Sequence, residues 1–157
     1  MIDKQKVNKH KGCEGELYAM WDACSKGYIV AKTIESDLFS YDFIMDDGEK
    51  LYRVEVKTRD SSRRSSSTGK MFNDRVVFKS QFKTNCGYTK KYGFVDWFVC
   101  YCSKWNKIAW IKRENMNGDV TIYKQDFEHL QLPINNKLND LCLINEEGES
   151  KKQECLF

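Results

Sequence analysis

The chain has 157 residues, 26 Lys and Arg against 23 Asp and Glu for a formal net charge of +3, and a hydrophobic fraction of 41%, which together suit one packed domain with a single core. No run nears the roughly 18 uninterrupted apolar residues that cross a bilayer, and the polar start Met1–Lys6 lacks a signal peptide's apolar centre, so the expected place is cytoplasmic, with no membrane partner. Seven cysteines, an odd number without a C-x-x-C pair, and the isolated His10 and His129 argue for reduced thiols over a disulfide framework or structural zinc.

The first helix is expected over about 13–26, where Leu17, Met20, Trp21 and Cys24 recur at helical spacing and Gly27 follows as a stop. Glu16 flanks that apolar stripe, and Cys24 on it reads as a small buried hydrophobe. Tyr28–Thr33 reads as a short strand. Ser40–Met45 and Leu51–Lys57 alternate apolar with polar residues and form a hairpin across Asp46–Asp47–Gly48–Glu49. With Asp47–Gly48 as a two-residue loop, Asp46 stands opposite Glu49, Ile44 opposite Leu51 and Asp42 opposite Arg53, leaving Glu55 diagonal to Asp42 on the same face.

Thr58–Lys70 holds no apolar residue and is rich in serine, the composition of a loop. Arg75–Lys79 reads as a strand, and Gln81–Lys91 as a stretch with a short helix interrupted near Gly87. Phe94–Cys102 is a buried strand whose hairpin partner is Lys107–Lys112, across Ser103–Asn106. Val120–Tyr123 adds an edge strand and Gln125–Gln131 a helical turn before Pro133. Residues 1–133 thus read as one domain, and 134–157 as an extension ending in the solvated Glu146–Glu154.

Charge is unevenly spread. From Lys57 to Lys91 there are ten basic residues and two acids, a local +8 that leaves −5 for the remainder. Such a segment beside a pair of carboxylates suits a polyanionic partner and salt-dependent binding. Arg59, Arg63, Arg64, Lys70, Lys90 and Lys91 are the candidate phosphate contacts. Asp42 and Glu55 offer the few oxygen ligands that a magnesium ion needs, the Val56 carbonyl lies between Glu55 and Lys57, and the Lys57 ammonium projects from the glutamate's face to orient water or stabilise phosphate charge. An ion in such a site makes histidine or a nucleophilic side chain unnecessary.

In chain order, the helix with Glu16, the strand with Asp42 and the triplet Glu55–Val56–Lys57 resemble the PD-(D/E)XK nuclease superfamily, in particular small Holliday-junction-resolvase-like and homing-endonuclease-like members. Lys11–Glu16 is similar to the glycine-containing approach to their helical glutamate, and Val95–Val99 to a later core strand carrying an aspartate, here Asp96, a structural candidate. The proline that opens the motif is replaced by Tyr41. The resemblance covers roughly 11–112. It implies an α/β fold, a mixed central sheet flanked by helices in the order αβββαβ, and hydrolysis of DNA phosphodiesters with Mg2+ or Mn2+. It further implies a homodimer or higher homo-oligomer, with Asp42, Glu55, Val56 and Glu16 as metal ligands and Lys57 as the water-orienting cation. Two other readings compete: a non-catalytic nucleic-acid-binding module using Tyr88 and Tyr92 beside Lys90 and Lys91, and a cytoplasmic interaction domain without catalysis.

Overall fold

The computed structural model describes residues 4–33, 41–59, 73–79, 94–116 and 118–137, with side chains from His10 onward. Helix α1 (Lys4–Ser25) leads into strands β1 (Ile29–Lys32), β2 (Phe43–Asp46) and β3 (Leu51–Arg59). After them come β4 (Arg75–Phe78), β5 (Trp97–Cys102), β6 (Lys107–Lys112) and β7 (Val120–Tyr123). Short 3-10 turns span Arg113–Asn115 and Asp126–Glu128.

Five strands form one sheet in the order β1-β2-β3-β5-β6, in which β3 and β5 run parallel and the other pairs antiparallel. The sheet is therefore mixed, as expected. Antiparallel neighbours close through short turns, whereas the parallel β3–β5 pair demands a crossover. β4 and β7 make a separate two-stranded antiparallel sheet, so Val120–Tyr123 does not edge the main sheet.

Alternation along the strands sorts the core into two layers. Val54 and Val99 join Phe43, Met45 and Trp110 on the face covered by Ala19 and Ala23 of α1. Phe98, Cys100, Cys102 and Ile111 join Val76, Phe78, Ile122 and Phe127 on the other face. Among the described residues, one face is thus covered by a helix and the other by the small sheet, not by a second helix. The expected helix within Gln81–Lys91 lies outside the described residues, as do the Thr58–Lys70 loop beyond Arg59 and the tail from residue 138.

Helix α1 departs from expectation twice. It begins at Lys4, not near residue 13, and it buries Gly15, Ala19, Asp22 and Ala23 while Leu17 and Trp21 are 60% and 63% exposed. Cys24 is exposed as well. Small residues take the inner face because the helix lies close to β3: a Cβ on Gly15 would sit 1.9 Å from Thr58 Oγ1. Buried Asp22 is satisfied there by Trp110 Nε1 at 2.7 Å and Lys26 Nζ at 2.8 Å.

The β2–β3 register differs from expectation by two residues. Asp46 pairs with Leu51 and Ile44 with Arg53, and the turn closes through the Asp47 N–H to the Lys50 carbonyl at 3.2 Å. Carboxylates enforce this longer turn. Asp46 Oδ1 accepts the Gly48 N–H at 2.8 Å, and Asp47 Oδ1 accepts the N–H groups of Glu49 at 3.0 Å and Lys50 at 2.8 Å. Gly48, at φ 92°, takes a conformation costly for other residues. Because the shift is even, every β3 side chain keeps its expected face. Arg53 consequently pairs not with Asp42 but with Asp96, whose Oδ2 accepts the Arg53 N–H at 2.8 Å and Nε at 3.2 Å.

The extension after Pro133 is tied in at its start. Asn135 is buried and donates to the carbonyls of Gly27 at 3.0 Å and Asp47 at 3.1 Å, while its N–H reaches the Lys26 carbonyl at 2.7 Å. These bonds pin the end of α1 and the β2–β3 turn to one strap.

Candidate active site

Where β2 starts, the sheet leaves a gap beside β3. Phe43 is the register partner of Val54, yet the Asp42 N–H also reaches the Val54 carbonyl at 2.8 Å, so the strand begins with an extra residue, a bulge. Bulges of this kind re-aim a side chain and end the ladder. Here the re-aimed group is the Asp42 carboxylate. It swings along the edge of β3, and its Oδ2 accepts the Val56 N–H at 2.7 Å in place of a backbone partner. In an extended strand a residue's N–H and C=O point to the same side. The Val56 carbonyl therefore faces this gap too.

Glu55 and Lys57 flank Val56 and share the opposite face from Val54 and Val56. Both are buried, at 5% and 7% exposure, and Lys57 Nζ donates to Glu55 Oε1. Glu55 Oε2 is buried with no hydrogen-bond partner. A buried carboxyl oxygen without a partner is costly inside a protein, so this atom can take a further donor or cation beside Lys57. At Asp42, whose Oδ2 already accepts the Val56 N–H, the crowding is electrostatic. Burial, and then the charge of Glu55, push its carboxyl from the ordinary 3.8 to about 7.

These groups open into a cavity of about 350 Å³ lined by Lys11, Gly12 and Glu16 of α1, Asp42, Glu55 through Arg59 of β3, and Lys79 after β4. Glu16 lies in the middle of the helix, and its carboxylate is engaged by Lys32 at 2.9 Å. That bond is the main reason the Lys32 amine titrates above its usual value. Asp42, Glu55, Val56, Lys57, Glu16 and Arg59 thus border one cavity. Arg63, Arg64, Lys70, Lys90 and Lys91 lie outside the described residues. Asp96 stands apart from the cavity, serving Arg53. Lys11, Thr58 and Lys79 border it without having been singled out; Lys79's signal in the sequence was its place directly after the alternating run Arg75–Phe78.

Helix glutamate, bulged aspartate and the Glu55–Val56–Lys57 strand around one cavity agree with what whole-chain comparison finds: the profile of PD-(D/E)XK endonuclease matches residues 6–136. The chain belongs to the PD-(D/E)XK endonuclease family. Membership supports nuclease activity. Among solved structures, this PD-(D/E)XK chain is similar to a bacterial homing endonuclease, I-Ssp6803I, with a TM-score of 0.57 and 18% identity over 94% of this chain and 95% of that one. That likeness concerns the fold. No curated protein matches the sequence.

The residues present in this PD-(D/E)XK site fit a divalent cation. Lys57 meets one Glu55 oxygen and leaves Oε2 without a partner, and burial beside Glu55 raises the Asp42 carboxyl to about 7, so the pair has room for a further positive charge. Among the described residues no three His, Cys, Asp or Glu side chains form a ready-made cage. A magnesium ion does not need one, because it is bound by one or two carboxylates and keeps several waters or phosphate oxygens. Asp42, Glu55 and the Val56 carbonyl would supply the protein's share, and Glu16 would join only after releasing Lys32.

Proposed function

We propose that the protein is a divalent-metal-dependent endonuclease that hydrolyses DNA phosphodiesters in the cavity between α1, β3 and β4, with Mg2+ or Mn2+ as the ion. The observation that carries this reading is the buried Glu55 oxygen without a partner in the cavity that Asp42, Val56 and Lys57 also line. A cation between the two carboxylates would relieve their repulsion at neutral pH.

When bound, the ion supplies Lewis acidity and makes water acidic enough to attack at neutral pH. The chain's own residues do the rest. Asp42 and Glu55 would hold the ion, and the Val56 N–H holds Asp42 in its rotamer. Lys57, buried against Glu55, places its ammonium where it orients the attacking water and meets charge growing on the phosphoryl oxygens. Water forms one new P–O bond and releases a proton to solvent, one P–O ester bond breaks, and the leaving oxygen takes a proton from solvent. Arg59 at the rim is suited to the backbone of the bound strand.

A homing-endonuclease-like or Holliday-junction-resolvase-like role is the finer form of this proposal. Either task cuts two strands, and among the described residues the chain carries one such cavity, which suits two copies per double cut. The outward apolar pair Leu17 and Trp21 on α1 supports self-association.

The test compares wild-type and Glu55→Ala protein on plasmid, linear duplex and four-way-junction DNA with Mg2+, Mn2+ or chelator. Ion-dependent cutting lost in the variant is expected. Binding without cutting under every ion would make the protein a non-catalytic nucleic-acid module, and no DNA affinity at low salt would make it an interaction domain.

A further inference from the structure

The cavity's three carboxylates, Glu16, Asp42 and Glu55, confront any polyanion that enters. Lys57 is committed to Glu55 and Lys32 to Glu16. Besides Lys11 of α1 and Arg59 of β3, the cavity is lined by Lys79, one residue past β4. It comes from the separate two-stranded sheet, not from the sheet that carries the carboxylates. Among the described residues it forms no ion pair, and it is exposed.

Its position is nonetheless fixed. Val76 and Phe78 are buried to 1% and 0% exposure in the layer with Phe98, Cys100 and Cys102, and Phe78 pairs with Val120 of β7. Anchoring the neighbouring residue places the Lys79 backbone while leaving its stem free to extend. Backbone cations of this kind set register and affinity on a nucleic acid without reading sequence.

Resting on the nuclease reading above, we propose that Lys79 is a substrate-binding residue: its ammonium contacts a non-bridging phosphate oxygen of the cleaved strand, from the β4 wall facing the carboxylates. The small β4–β7 sheet thereby becomes part of the binding surface and not merely a cover for the core.

Counterion release gives this inference a readout that a structural role does not move. Each phosphate neutralised adds about 0.9 to the steepness with which log K falls against log salt on duplex DNA. Binding is measured with a duplex oligonucleotide in monovalent salt and chelator in a Glu55→Gln background, where cleavage is silenced. Lys79→Met is expected to reduce the steepness by about 0.9 and to weaken low-salt binding. Lys79→Arg restores both, and Lys124→Met, at the far end of the same small sheet, changes neither. Thermal unfolding of Lys79→Met should match the parent, since the side chain is exposed. An unchanged salt dependence in Lys79→Met, with wild-type protein cleaving plasmid, overturns this inference alone. Absence of both binding and cleavage by wild type overturns the nuclease reading and this inference with it.

Discussion

Replacing Asp42 by Asn should make the metal-free protein more stable while removing its activity. Burial and the Glu55 charge hold the Asp42 carboxyl protonated up to about 7, against 3.8 in an unfolded chain. Between those values the folded chain keeps a proton that the unfolded chain has released, so stability falls as pH rises from about 4 to about 7 and stays low above. At about 1.4 kcal/mol per pH unit the full effect is about 4 kcal/mol. Asp42 is only half-buried, and solvent screening reduces this to about 2 kcal/mol. Asn keeps an oxygen for the Val56 N–H, now accepted by Oδ2 at 2.7 Å, and carries no charge. Urea unfolding in chelator at a series of pH values measures the difference. Variant and wild type should coincide near pH 4 and diverge by about 2 kcal/mol at pH 8. Saturating Mg2+ should close that gap for wild type alone, since a ligand at a hundredfold its Kd stabilises by about 2.7 kcal/mol. A difference independent of pH, or a variant less stable at pH 8, would refute the reasoning about crowded carboxylates.

Other outcomes follow from particular contacts. Gly15→Ala should destabilise by about 1–3 kcal/mol despite alanine's helix propensity, because the new Cβ would lie 1.9 Å from Thr58 Oγ1; adding Thr58→Ala should recover part of the loss in denaturant melts. Asp47→Ala should cost about 1–3 kcal/mol by orphaning the Glu49 and Lys50 N–H groups and the Tyr52 hydroxyl, now held at 3.0, 2.8 and 2.9 Å. In the same variant Tyr52, whose pKa burial and Asp47 raise, should titrate lower by ultraviolet absorbance. Lys57→Ala should abolish turnover in plasmid assays while DNA affinity changes little; the reverse pattern would contradict its assigned role. Trp21→Glu should lower the sedimenting mass if the exposed α1 stripe joins two copies.

Much of the architecture was legible in the sequence because strand alternation reports burial directly: the β2–β3 hairpin, the β5–β6 hairpin and the faces of Glu55 and Lys57 all follow from it. Turn chemistry was harder. The Asp47–Gly48 pair suggests the tightest hairpin, but the Asp47 side chain caps the N–H groups of the next residues and moves the turn's centre to Gly48–Glu49. The inner face of α1 is hidden in the sequence because size, not hydrophobicity, selects it. Close approach to Thr58 selects Gly15, Ala19 and Ala23 and turns Leu17 and Trp21 outward. Glycines at 12 and 15 also hid the helix's first turns, since each disfavours helix locally. The pairing of β4 with β7 depends on layering over the main sheet, which no local pattern encodes. At the site, the Glu55–Val56–Lys57 spacing was readable, whereas the bulge that re-aims Asp42 and the arrival of Lys79 from a second sheet are matters of tertiary placement.

The most direct measurement is the anomalous scattering of Mn2+ in crystals of the wild-type protein. A peak is expected within coordination distance of the Asp42 carboxylate, the Glu55 carboxylate and the Val56 carbonyl, abolished in Glu55→Gln. An ion bound elsewhere, or none at these oxygens in a protein that still cuts DNA, would contradict it.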